Sequence, residues 1–230
     1  NKDSSARAFN SLGVINYYRK NNEKALEYFT NALKIREEIC DKKRMGRDIM
    51  NIGNIYSAEG NNDKALDYYT HSLKINEELD DKDGTYRALN NIGIVHTHKG
   101  DYDKALGYYK RSLAISKKTG DKRGIGIVLN SIGVTYYRKR NYDKALDYFN
   151  RSQNLIETIG DKDILHYSLQ NIANIYRHKG NYDKALDNYF GTLKIKEKMD
   201  EKFGIGTSLL HIWDMHHSKG DYDKALGYYQ

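Results

Sequence analysis

Apolar positions along the chain fall into two alternating stripes, best seen in the stretch LNNIGIVHTHKGDYDKALGYYKRSLAISKKTGDKRG at residues 89–124. Leu89, Ile92, Gly93 and His96 stand at i, i+3, i+4 and i+7, one face of an amphipathic helix. Gly100 then permits a left-handed stop, and Asp101 follows as the N-cap of a second helix. That helix carries its own stripe in Ala105, Tyr109, Ser112 and Leu113, and Gly120–Asp121 repeats the stop and cap. The phrase DYDKAL at 101–106 recurs with small changes six times, always 40 residues apart. A reacting constellation is needed once, whereas a structural joint is needed wherever an architecture repeats. DYDKAL therefore predicts a helix start. Its first acid or amide caps, its second acid sits in the first turn, its lysine is solvated, and Ala-Leu turn inward.

The whole chain aligns at this period, with units starting near 1, 41, 81, 121, 161 and 201, the sixth incomplete. Phe9, Ile49, Leu89, Leu129, Leu169 and Leu209 share one place, and Leu12, Ile52, Ile92, Ile132, Ile172 and Ile212 another. The second helix holds Ala25, Ala65, Ala105, Ala145, Ala185 and Ala225, with Phe29, Tyr69, Tyr109, Phe149, Tyr189 and Tyr229 four residues on. Apolar-x-x-Ile-Gly-x-x-Tyr followed by Ala-x-x-x-aromatic resembles the tetratricopeptide repeat. The resemblance implies an all-α, right-handed superhelical solenoid of antiparallel helix pairs forming one repeat domain over 1–230. Two departures stand out. The period exceeds the usual length of about 34 residues, and proline is absent throughout. This longer form is similar to the arrays of Pins/LGN adaptors, kinesin light chains and bacterial repeat-bearing regulators. Gly13, Gly53, Gly93 and Gly133 share a place that becomes Ala173 and then Trp213. Small residues there suggest close helix approach opposite alanines such as Ala225, so Trp213 predicts a widened last pair.

Composition narrows the class. Of 230 residues, 39% are hydrophobic and 30% charged, enough for a thin core of the kind an elongated body needs. No run reaches the roughly 18 apolar residues of a membrane span. The single cysteine, Cys40, rules out an intrachain disulfide and suggests a reducing, cytoplasmic setting. The chain starts without methionine and stops within a unit, so it reads as a segment of a longer protein. Its net charge of +7 is dispersed along the chain. That is weak support for nucleic acid.

With the buried face assigned, spacing also marks the inward-lining face of the first helices. It carries Arg7, Arg47, Arg87, Arg138 and Arg177 against one acid, Asp214. Amides are abundant there, among them Asn51, Asn54, Asn90, Asn91, Asn130, Asn171 and Asn174. An amide both donates and accepts, which suits the main chain of an extended peptide. Arginine supplies a fork for carboxylates. Related Pins-type arrays use Asn and Arg on this face to hold partly acidic peptides, and the resemblance implies the same here. The lysine that a chaperone-tail carboxylate clamp requires is missing from Asn10, Met50, Asn90, Asn130, Gln170 and Leu210.

Histidines at 96, 98, 211, 216 and 217 lack the spacing of a metal set, and GIG at 124–126 and 204–206 has no preceding strand. Neither a cofactor, a metal nor a catalytic group is expected. The sequence predicts a non-enzymatic module whose groove binds an extended, partly acidic peptide or protein segment. Alternatives are a segment regulating a signalling domain elsewhere in the parent chain, or a single-stranded nucleic-acid binder. Apolar Leu226, Tyr228 and Tyr229 near the C-terminus predict self-association at that end.

Overall fold

The computed structural model describes residues 1–228, and the described residues form twelve α-helices and no strand. The helices divide between two compact units. The first, Asn1–Gly120, contains α1 (Lys2–Tyr18), α2 (Asn22–Glu38), α3 (Lys42–Ala58), α4 (Asn62–Glu78), α5 (Lys82–Lys99) and α6 (Tyr102–Thr119). The second contains α7 (Lys122–Arg138), α8 (Tyr142–Ile159), α9 (Lys162–His178), α10 (Tyr182–Lys198), α11 (Lys202–Lys219) and the short α12 (Tyr222–Gly227). Within each unit every odd-numbered helix pairs with the next even one, and that one packs on the odd helix after it.

Caps start the helices where the repeat places them. Asn21, Asn61, Asn141 and Asn181 accept a hydrogen bond from the backbone N–H three residues on. Asp41, Asp81, Asp121 and Asp161 do the same for the first helices. Asp101 begins α6 without a side-chain cap bond, because its carboxylate lies 3.1 Å from His96 Nδ1. The joints are left-handed, at Gly100 with φ 82° and equally at Lys20, Cys40, Asp80, Arg140 and Asp200, where no glycine is present.

DYDKAL does more than start a helix. Its lysine is not merely solvated: Lys64, Lys144 and Lys184 lie 5.0–5.3 Å from the ring centres of Tyr56, Tyr136 and Tyr176 on the partner helix. Its second acid reaches the next repeat, where Lys99 donates to Asp63 at 2.7 Å and Lys179 to Asp143 at 2.5 Å. Lys219 and Asp183 form the same bond. Ala25, Ala65, Ala105, Ala145, Ala185 and Ala225 are all buried.

The close approach expected at the first-helix glycines is present, but its partner differs. A Cβ on Gly93 would stand 2.6 Å from the Tyr109 ring, and Gly13, Gly53 and Gly133 face Phe29, Tyr69 and Phe149 in the same way. The glycine makes room for a fully buried aromatic ring, not for an alanine. Trp213 is half-buried and stacks on His217 at 5.2 Å. The aromatic that would oppose it, Tyr229, lies outside the described residues.

One joint in the first unit holds charge. Asp48 of α3 is fully buried beside Arg36 of α2, itself 3% exposed, with Arg36 Nε 2.5 Å from Asp48 Oδ2. The approach is off the N–H direction, so the contact is ionic and not an aligned hydrogen bond. Asn10 of α1 donates to the other carboxylate oxygen at 2.5 Å. Burial pushes the Asp48 carboxyl up to about 6, although Arg36 and Asn10 favour its charged form.

Candidate functional site

In the first unit two of the three arginines at successive repeats hold a carboxylate. Arg7 pairs with Asp3 at 2.8 Å and Arg87 with Asp83 at 2.9 Å, each one turn earlier on the same helix. Asp83 lies in the first turn of α5, so the Arg87 pair braces a single helix, whereas Asp3 also accepts from Arg44 of α3 at 2.9 Å and so links the first two repeats. Arg47 has Lys43 one turn before it, is exposed, and has no ion pair among the described residues.

The amides on this face are ordered by one another and by a tyrosine beneath them. Tyr69 donates its hydroxyl to Asn54 Oδ1 at 2.8 Å, and Asn91 Nδ2 donates to the same oxygen at 3.2 Å. Burial raises the Tyr69 phenol above its ordinary value, so it remains a donor. Asn51 is half-buried. Asn90 is only 4% exposed and its Oδ1 has no partner among the described residues. Between Tyr17, Asn54, Ser57, Ala58, Tyr69, Asn91, Ile94 and His98 lies a cavity of about 260 Å³.

The second unit repeats the device with changes. Asn171 Nδ2 donates to Asn130 Oδ1 at 3.3 Å, and Tyr189 donates to Asn174 Oδ1 at 2.7 Å. Burial pushes the Tyr189 phenol up to about 12. Arg177 meets Asp214 at 3.3 Å, and His178 Nε2 lies 2.7 Å from the Tyr137 hydroxyl. Arg138 is exposed, with no ion pair among the described residues. His211 and His217 serve as stacked rings, against Tyr189 and Trp213. Among the described residues no three His, Cys, Asp or Glu side chains gather around a point that could hold a metal.

The sequence marks Tyr69 and Tyr189 as buried aromatics; that their hydroxyls hold the amides has a signal of its own. Where the face carries Val14 or Val134, the aromatic beneath is Phe29 or Phe149; where it carries Asn54 or Asn174, the aromatic is Tyr69 or Tyr189. A hydroxyl appears where a polar group needs it, and in the third repeat, with Ile94 on the face, the Tyr109 hydroxyl meets Thr97 at 3.2 Å instead.

A model of the tetratricopeptide repeat matches residues 4–78, 47–118, 84–158 and 124–198. The chain belongs to the tetratricopeptide repeat family. No curated protein matches it in sequence. Among solved structures it is similar to BtubC from P. vanneervenii, at 16% identity and a TM-score of 0.76, covering 90% of this chain and 87% of that one. A Rap protein complexed with Competence and Sporulation Factor gives a TM-score of 0.82 at 14% identity, over 98% and 73% of the two chains. The Rap conjugation gene regulator of plasmid pLS20, in complex with the Phr* peptide, gives 0.80 at 16%, over 96% and 61%. At such identities the likeness is one of fold. No helix among the described residues of this tetratricopeptide repeat chain is long and apolar enough to cross a membrane.

Proposed function

We propose that the chain is a non-enzymatic interaction module that binds an extended peptide or partner segment along the first-helix faces of its repeats. The observation that carries this reading is the fixed orientation of the amides. Asn54 is held by Tyr69 and Asn91, Asn174 by Tyr189, and Asn130 by Asn171, so donors and acceptors are set before a ligand arrives. Such preorganisation lowers the ordering cost of binding. Two of the similar Rap structures hold Competence and Sporulation Factor or the Phr* peptide, which supports the same use of the fold. Arg47 and Arg138 add a preference for acidic residues, more modest than five free arginines would give, because Arg7, Arg87 and Arg177 already hold carboxylates. A cytoplasmic setting belongs to the same proposal. So does self-association through Leu226, 60% exposed, while Tyr228 is half-buried against Phe190 and His216 and Tyr229 lies outside the described residues.

Selection from a displayed library of random peptides tests the reading. Binders enriched in Asp or Glu should emerge, and Arg47→Glu should weaken them by about tenfold or more, some 1.4 kcal/mol. The thermal midpoint should move little, since Arg47 is exposed and has no ion pair, its charge acting on the fold only through nearby Asp48. Failure to enrich any peptide, or binding indifferent to Arg47 and to both amide clusters, would remove the proposal.

A further inference from the structure

The cavity in the first unit has a cause in the sequence. Each first helix carries near its end a pair of residues at the same two places: Tyr17-Tyr18, then Ser57-Ala58, then Thr97-His98. In the second unit the same places hold Tyr137-Arg138 and Arg177-His178. Only the second repeat has two small side chains here. The wall is therefore open above Tyr69, between Tyr17 on one side and Ile94 and His98 on the other.

The polarity of this opening is decided by the hydrogen bonds beneath it. Asn54 spends its oxygen on Tyr69 and Asn91, which leaves the hydrogens of its Nδ2 unspent. Asn91 spends one Nδ2 hydrogen on Asn54, which leaves its Oδ1 unspent. Neither amide can turn over alone without losing a bond. The cavity thus offers an N–H donor next to a carbonyl acceptor, with the Tyr17 ring, Ala58 and Ile94 as apolar walls. No carboxylate and no lysine or arginine lines it, and its other polar side chains are Ser57 and His98 beside the two phenols. A hydroxyl, which accepts and donates at once, satisfies both amides. A carboxylate would meet the Asn91 oxygen with a lone pair. The volume of about 260 Å³ exceeds the roughly 150 Å³ that admits benzene. A ring carrying a hydroxyl fits both the size and the polarity.

We propose that this cavity takes the phenol of a tyrosine side chain in the bound peptide. The phenol oxygen accepts from Asn54 Nδ2 and its hydrogen goes to Asn91 Oδ1. The assignment rests on the peptide-binding reading for its biological meaning, but its chemistry can be tested without a peptide. The probe is N-acetyl-tyrosinamide, titrated into the full chain while the side-chain amide signals of Asn54 and Asn91 are followed by NMR. Saturable shifts at both amides are expected, with the phenylalanine counterpart weaker by at least about tenfold, because it leaves both amides unpaired. Ser57→Tyr, the residue the repeat itself uses at Tyr17 and Tyr137, should fill the opening and abolish the shifts. If that variant does not fold, Ala58→His, the residue at His98 and His178, fills the same space from one position later. Equal binding of the phenylalanine or aspartate counterpart, no saturable shift, or tyrosine binding that survives a folded filling variant would each overturn the proposal. Library peptides that bind through Arg47 yet lack tyrosine would sink the phenol pocket and leave the groove intact. Capped tyrosine bound at Asn54 and Asn91, with no peptide selected at all, would do the reverse.

Discussion

Single residues bear strain at the joints of this array. Cys40 at φ 54° and Arg140 at φ 59° sit in the left-handed region, which costs an L-residue with a Cβ roughly 1–2 kcal/mol. Both are exposed. Gly100, Gly120 and Gly160 occupy equivalent joints without that cost. Cys40→Gly and Arg140→Gly should each stabilise the chain, by about 0.5–1 kcal/mol after the extra chain entropy of glycine is offset. The urea midpoint should rise with an unchanged slope; a fall would show that these joints owe their shape to the side chain. At this scale the sequence was legible in part. The stripe of Asn and Arg on the first helices could be read from spacing, and so could the i, i+4 acids that neutralise Arg7 and Arg87. Which end of each amide is free could not, since that depends on whether Tyr69 or Asn91 reaches its oxygen first.

Between elements, the joint of α2 and α3 is the most demanding. Removing one partner of a buried ion pair leaves the other desolvated, here with only Asp41 at 3.4 Å to balance Arg36, so Asp48→Ala alone should cost up to about 3–5 kcal/mol. The same joint one repeat later manages with Asn76 and Ala88, both buried. Arg36→Asn together with Asp48→Ala should therefore recover most of that loss, by the rule that a buried pair can be replaced at little cost. A double mutant as unstable as the single would mean that Asn10 and Arg44, which also reach this cluster, need the charges. Helix boundaries were the most legible part of the fold, because glycine stops and Asx caps recur at fixed intervals. The interlocking of helices was less so. Gly93 reads as a small residue, but that it faces Tyr109 and not an alanine follows from the crossing of α5 and α6, which no period in the sequence encodes.

Across the molecule, the two compact units should respond to acid in opposite directions. In the first, Asp48 titrates in the folded state at about 6, above the unfolded value of about 3.9. The folded form therefore binds the proton first, and this unit gains stability as pH falls from above 6 towards 4. In the second, His166 is pushed below its ordinary value by burial and by Lys196 nearby. There the unfolded chain binds the proton first, and stability is lost as pH falls through about 6.5. Hydrogen exchange on the full chain at pH 7 and pH 5, corrected for intrinsic rates, should show α3 better protected and α9 less protected in acid. A parallel change in both helices would contradict these assignments. The uneven joints also bear on how such a gene can vary. Six near-identical DYDKAL segments invite recombination that would delete or duplicate whole repeats. The side chain that closes each repeat is nevertheless shaped for its neighbours: Asn76 fits against Gly46 and Gly84, each too close to it for a Cβ. Loss of residues 41–80 would set Arg36 against Gly84 and take away Asp48, leaving a buried guanidinium at the new seam with only Asp81, in the place that Asp41 holds 3.4 Å from it now, as counter-charge. Repeat number in this chain is held by chemistry at the seams, and a slipped copy would arrive already destabilised.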